Sequence, residues 1–72
     1  MKLPVIGARE CSRALQKAGF YETRRESSHI TLRHEKSNVR VTVPDHKTIS
    51  PGTLRSIIRQ AGLTVEEFIE LL

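Results

Sequence analysis

Three side chains of this chain are suited to moving a proton near neutral pH: His29, His34 and His46. His29 follows Ser27-Ser28 and opens the alternating run His29-Ile30-Thr31-Leu32-Arg33-His34. In a strand, Ile30 and Leu32 point one way and His29, Thr31 and Arg33 the other, so His29 is expected to face solvent. An exposed imidazole suits phosphodiester cleavage in RNA. The 2′-hydroxyl supplies the nucleophile, and the protein needs only to remove its proton, protonate the leaving 5′-oxygen and stabilise the charge between. The same residue also reads as an ordinary surface histidine. His34 has the opposite phase and reads as a half-buried histidine satisfied near a turn. His46 lies in a loop beside Asp45, which could orient its ring, although adjacency alone says little.

Around His29 the chain is basic. Arg24 and Arg25 precede its turn, Arg33 and Arg40 are expected on its face, and Lys47 follows His46. The planar guanidinium fork matches phosphate oxygens. A solvated basic surface, offset by Glu22, Glu26 and Glu35, explains the same residues. Positions 29, 34 and 46 match no common zinc spacing, and no metal or cofactor is expected. Ser27 and Ser28 lack the strand–turn–helix elbow and acid partner of a nucleophilic triad. There is no phosphate loop, dinucleotide fingerprint or paired-cysteine motif.

Six elements must position these groups. Residues 8–18 read as a helix, with Cys11, Ala14, Leu15 and Ala18 forming one apolar stripe and Gly19 a natural stop. Arg9, Arg13 and Lys17, spaced by four, make a basic ridge beside that stripe. Residues 20–25, 29–34 and the Val39, Val41, Val43 run read as strands of an antiparallel meander, closed by Pro44. Ser50 caps a helix that begins at Pro51 and buries Leu54, Ile57, Ile58 and Ala61. Thr64 and Glu67 form a capping-box signature for a last helix burying Val65, Phe68, Ile69 and Leu72. The fold class is therefore α+β: a helix, a three-stranded antiparallel sheet, then C-terminal helices. The apolar sheet face, Ile30, Leu32, Val39, Val41 and Val43, demands helical cover. The other face would show His29, Thr31, Arg33, Arg40 and Thr42.

Size and charge narrow the partners. Seventy-two residues read as one domain, 1–72, whose small core leaves chemistry to an open face or shallow groove. Twelve Lys and Arg against eight Asp and Glu give +4, which favours a polyanionic partner. Phe20, Tyr21 and Phe68 are the only aromatics, too few for a platform that stacks bases. Cys11 is the sole cysteine, so no intrachain disulfide forms, as suits a reducing compartment. No stretch reaches the ~20 apolar residues of a membrane span, and the opening residues turn polar too quickly for a signal peptide. A cytoplasmic location is the expectation.

Taken together, the ordered segments resemble the HicA toxins of bacterial and archaeal toxin–antitoxin pairs. LPVIGARECSRALQKAGF is similar to that family's first helix and its Ala-Gly-Phe exit. SSHITLRH resembles its catalytic strand, VTVPDH its Val-Pro-x-His segment, and ISPGTLRSIIRQAGLTVEEFIELL its C-terminal region. The resemblance spans nearly the whole chain. It implies a fold like a double-stranded-RNA-binding domain, with helices on one face of the sheet. It also implies metal-independent cleavage of mRNA, single-stranded or translated, by an mRNA interferase. A HicB-like antitoxin would cover the active site. The family's catalytic histidine falls on His29, and its histidine after Val-Pro on His46. Ser27 stands where the family usually has glycine. If that position needs a positive φ, serine strains the turn; if it leaves room for RNA, the side chain slows catalysis.

The expected function is endonucleolytic RNA cleavage by a toxin of the type II class. His29 would act as acid or base, and Arg24, Arg25, Ser28, Arg33, Arg40, His46 and Lys47 would contact RNA. His46 could supply a second proton-transfer group only if its loop folds back toward His29. A non-catalytic RNA-binding module of the same fold, supported by the Ser27 departure, is the principal rival. A protein-interaction domain with incidental charge is the other.

Overall fold

The computed structural model of the protein describes residues 3–72; Met1 and Lys2, the start of the expected 1–72 domain, lie outside the described residues. The elements run α1 (Ala8–Lys17), β1 (Phe20–Glu26), β2 (His29–His34), β3 (Arg40–Pro44), α2 (Pro51–Gln60) and α3 (Val65–Glu70). The sheet is antiparallel in the order β1-β2-β3. Both α1 and α2 cover one face, and α3 packs on α2. This is the α+β arrangement of a double-stranded-RNA-binding domain.

The core forms where the helical stripes meet the sheet. Cys11, Ala14 and Leu15 of α1 and Leu54, Ile57 and Ile58 of α2 close over Ile30, Leu32, Val41 and Val43, with Phe68 of α3 added. Val39, read from its pattern as part of the third strand, stands half-buried just before β3. The helix ends follow local chemistry. The Ser50 hydroxyl accepts from the Thr53 amide, and Thr64 and Glu67 exchange side-chain bonds with each other's amides at 2.8 and 3.1 Å.

Two turns fix the sheet relative to α1. Gly19 ends the helix at φ 102°, and a Cβ there would stand 2.9 Å from Nε2 of His34. His34 packs edge-on against Phe20, with ring centroids 5.0 Å apart. Its Nδ1 accepts from the amides of Lys36 and Ser37, so Nε2–H donates to the Ala18 carbonyl at 3.2 Å. His34 is thus consumed in tying the β2–β3 turn to the end of α1, the half-buried role its phase suggests.

The β1–β2 register breaks between Glu22 and Arg24, leaving Thr23 as a bulge. Before the bulge, Glu22 opposes Leu32 on the helix-covered side. After it, Arg24 opposes Thr31 on the open side and Arg25 opposes Ile30 on the covered side. Directly opposed residues share a face, so one extra residue exchanges the faces of the two arginines.

Candidate functional site

His29 begins β2 directly after the two-residue Ser27–Ser28 turn, with Glu26 opposite on β1 and Pro44 opposite on β3. Two-residue hairpin loops usually take primed turns, which need positive φ. Here Asn38, at φ 64° in the β2–β3 turn, is the only non-glycine residue with positive φ among the described residues. Ser27 therefore sits without left-handed strain, and of the two consequences of replacing glycine, only the steric one remains.

The imidazole of His29 is exposed, and its Nδ1 lies 3.1 Å from the Ser28 hydroxyl. That contact leaves Nε2 as the nitrogen available for proton exchange. If Ser28 accepts from Nδ1–H, Nε2 carries a lone pair and is a base. If Ser28 donates, Nε2 carries the proton.

The segment after Pro44 folds back toward this histidine. The Asp45 amide donates to the Ser28 carbonyl at 2.9 Å, and the His46 amide to the Pro44 carbonyl at 2.9 Å. From the other side, the Ala8 amide donates to the His46 carbonyl at 2.9 Å, and Ile49 to Ile6 at 2.8 Å. His46 is thereby held between the His29 turn and the start of α1. His29 and His46 line one open groove of about 460 Å³, with Thr42, Thr48, Ser50 and Thr53 around it and Pro44 and Ile49 as its apolar members. Histidine and threonine side chains are the residue types that can exchange protons and hydrogen-bond to phosphate oxygens, while the Ser50 hydroxyl donates to Thr53 Oγ1.

Gly7 makes this closure possible. A Cβ there would stand 2.2 Å from the Lys47 carbonyl oxygen and 3.2 Å from that of His46. Gly7, Thr48 and Thr53 are not legible as site residues in the sequence, and Ser50 reads there only as a helix cap. A glycine just ahead of a helix was the available signal, but nothing in the sequence named the loop it meets.

The expected RNA-contacting residues separate into four groups. Ser28 and His46 stand with His29. Arg24, Arg33 and Arg40 share the open sheet face in a second shallow depression. There Arg24 pairs with Glu26 at 3.0 Å, and the Arg33 guanidinium donates twice to the Asn38 side-chain oxygen. Arg25 is not brought together with His29. It turns to the α1 side, where it pairs with Glu22 at 2.9 Å and Asp45 at 3.5 Å. Lys47 is exposed beyond His46 in a concavity shared with Arg9.

Among the described residues, no three His, Cys, Asp or Glu side chains come together in a way that could hold a metal ion. No helix among them is long and apolar enough to cross a membrane.

A family model described as the HicA toxin of bacterial toxin–antitoxin matches residues 8–63, from the start of α1 to just beyond α2. A search of curated proteins returned no match.

Proposed function

The chain belongs to the HicA toxin family of bacterial toxin–antitoxin pairs, and on that premise we propose that it is an endoribonuclease whose active site is the His29–His46 groove. The observation that carries this reading is that two histidines, distant in sequence, line one groove together with four hydroxyl-bearing residues. General acid–base cleavage of RNA needs two proton-transfer groups, one on each side of the scissile phosphate.

His29 acts as base. Ser28 accepts from Nδ1–H, and Nε2 takes the proton of the 2′-hydroxyl. The 2′-oxygen forms a bond to phosphorus as the bond to the 5′-oxygen breaks. His46 gives its proton to that leaving oxygen. The products are a 2′,3′-cyclic phosphate and a 5′-hydroxyl. Thr42, Thr48 and Thr53 supply hydroxyl donors for the phosphate oxygens as charge develops, while the Ser50 hydroxyl donates to Thr53 Oγ1 at 2.9 Å. No metal enters this scheme, because the substrate carries its own nucleophile. The natural target is mRNA, and a HicB-like antitoxin restrains the protein by covering the groove and its cationic surroundings.

The test compares wild type with His29→Ala on a labelled single-stranded RNA, in EDTA, after circular dichroism has shown both folded. Cleavage by wild type alone, ending in cyclic phosphate, is the expected result. Equal cleavage by both would remove His29 from the mechanism. Salt-sensitive binding without cleavage by either would establish the non-catalytic RNA-binding reading instead, with Ser27 as the position to restore to glycine.

A further inference from the structure

The His29–His46 groove does not end at His46. That residue also lines the adjoining concavity, together with Lys47, Asp45 and Arg9. Arg9 and Asp45 in turn line a third, between α1 and β1, which holds Arg13, Ser12 and Gln16. The three depressions share residues at each junction, so they form one track from the groove, over residues 45–47, and along α1.

Three cations along this track are unengaged. Arg9, Arg13 and Lys47 form no ion pair among the described residues. The acids beside them are occupied: Asp45 is held by Arg25 at 3.5 Å, and Glu10 accepts from the Gly7 amide at 3.3 Å. Arg25 itself is spent on Glu22 and Asp45. Ser12, at the far end of the track, keeps a buried hydroxyl with no hydrogen-bond partner. On the open sheet face two of the three arginines are already held by side chains. Arg24 is tied to Glu26 and Arg33 to Asn38, which leaves Arg40 as its unengaged arginine.

We propose that single-stranded RNA leaving the His29–His46 groove passes over residues 45–47 and runs along α1, its backbone phosphates held by Lys47, Arg9 and Arg13, rather than crossing the open face of the sheet. This rests on the ribonuclease reading of the groove and adds the path of the substrate beyond it. Arg9 and Arg13 stand one helical turn apart, ~6 Å along the axis. They thus present two guanidinium groups in succession to one strand, a spacing that suits neighbouring phosphates. Phosphate contacts of this kind set register and affinity without reading sequence. The basic ridge of α1, which the groove chemistry leaves unused, acquires a role in holding the substrate.

The experiment measures binding of 2′-O-methyl oligoribonucleotides, which lack the attacking hydroxyl, by fluorescence anisotropy over a range of salt. Arg9→Gln/Arg13→Gln is compared with Arg33→Gln/Arg40→Gln and wild type, each checked for folding. Loss of the two α1 cations is expected to weaken binding and to lower the slope of log affinity against log salt by about 1.4, at about 0.7 per lost contact to a single strand. The loss should grow with oligonucleotide length and vanish for oligomers that fill only the groove. The sheet-face variant should bind as wild type does. An unchanged slope in the α1 variant, with loss in the sheet-face variant, would overturn the proposed path while leaving the active-site reading intact. Unchanged RNA binding in the α1 variant, with loss of binding to poly-glutamate, would reassign the track to an acidic protein partner. Absence of salt-sensitive RNA binding by wild type would overturn both readings together.

Discussion

At the scale of single residues, the proposed mechanism gives the two histidines of the groove different jobs, and chemistry can separate them. Ser28 gives His29 a defined partner for Nδ1 at 3.1 Å, as an imidazole needs if its other nitrogen is to take a proton. His46 is held through its backbone, with its amide on Pro44 and its carbonyl on Ala8, and among the described residues no hydrogen bond engages its ring. A base must act whatever the leaving group; an acid matters only when the leaving oxygen is poor. His46→Ala should therefore lower kcat on ordinary RNA by about 100-fold or more, the usual worth of a general acid. On a substrate whose scissile 5′-oxygen is replaced by sulfur, a leaving group that needs no proton, the same variant should recover to near the wild-type rate. His29→Ala should stay inactive on both. Single-turnover rates on the two substrates decide the matter, and an unrecovered His46→Ala would make that histidine a phosphate ligand instead of the acid.

At the scale of elements, the site depends on how closely the start of α1 approaches the loop after β3. The contact at Gly7 leaves no room for a methyl group, because the atoms it would meet are the backbone of Lys47 and His46. Gly7→Ala must push that loop away from α1, straining the bonds from Ala8 to His46 and from Ile49 to Ile6. A destabilisation of about 1–3 kcal/mol is expected from such overpacking, measured by urea unfolding. A fall in kcat larger than that of a surface variant with equal loss of stability is expected beside it, since His46 moves. Unchanged stability and activity would show that the groove does not depend on this approach. The same contact marks what the sequence could convey. Pro44, the Ser50 cap and the Thr64–Glu67 box are local signals, and each stands at its element boundary; the apolar stripes are local too, except that Leu72, expected to be buried by the last helix, is exposed beyond the end of α3. The exposure of His29 followed from period-2 phase, and the half-burial of His34 from the same rule. The bulge at Thr23 had no residue signature, so nothing local revealed that Arg25 would turn to the α1 side. Nor could spacing show His46 folding back, because its position is set by amides and carbonyls of Ala8, Ser28 and Pro44, which residue types do not encode.

At the scale of the whole molecule, a thin body of 29 × 26 × 16 Å has one core to hold both walls of the groove together. Cys11 reports on that core. It is fully buried, and desolvation pushes its thiol up to about 12 from an ordinary value of 9.0. A thiol that resists ionisation when folded but ionises freely when unfolded favours the unfolded chain at high pH. Below pH 9 both states hold the proton and the group makes no pH-dependent difference. From pH 9 to 12 only the unfolded chain loses it, so stability falls as pH rises. By pH 10.5 the loss attributable to Cys11 should reach about 2 kcal/mol, at 1.36 kcal/mol per pH interval. The comparison is with Cys11→Ala, which keeps every other ionisable side chain. Removing the sulfur lowers stability by a pH-independent amount for the space it leaves. Urea unfolding of the two proteins from pH 7 to 10.5 should give curves a constant distance apart below pH 9, then converging as the wild type alone pays for ionisation. Parallel curves throughout would mean that the Cys11 thiol ionises as readily in the folded protein as in the unfolded chain, and that the core beneath α1 admits water.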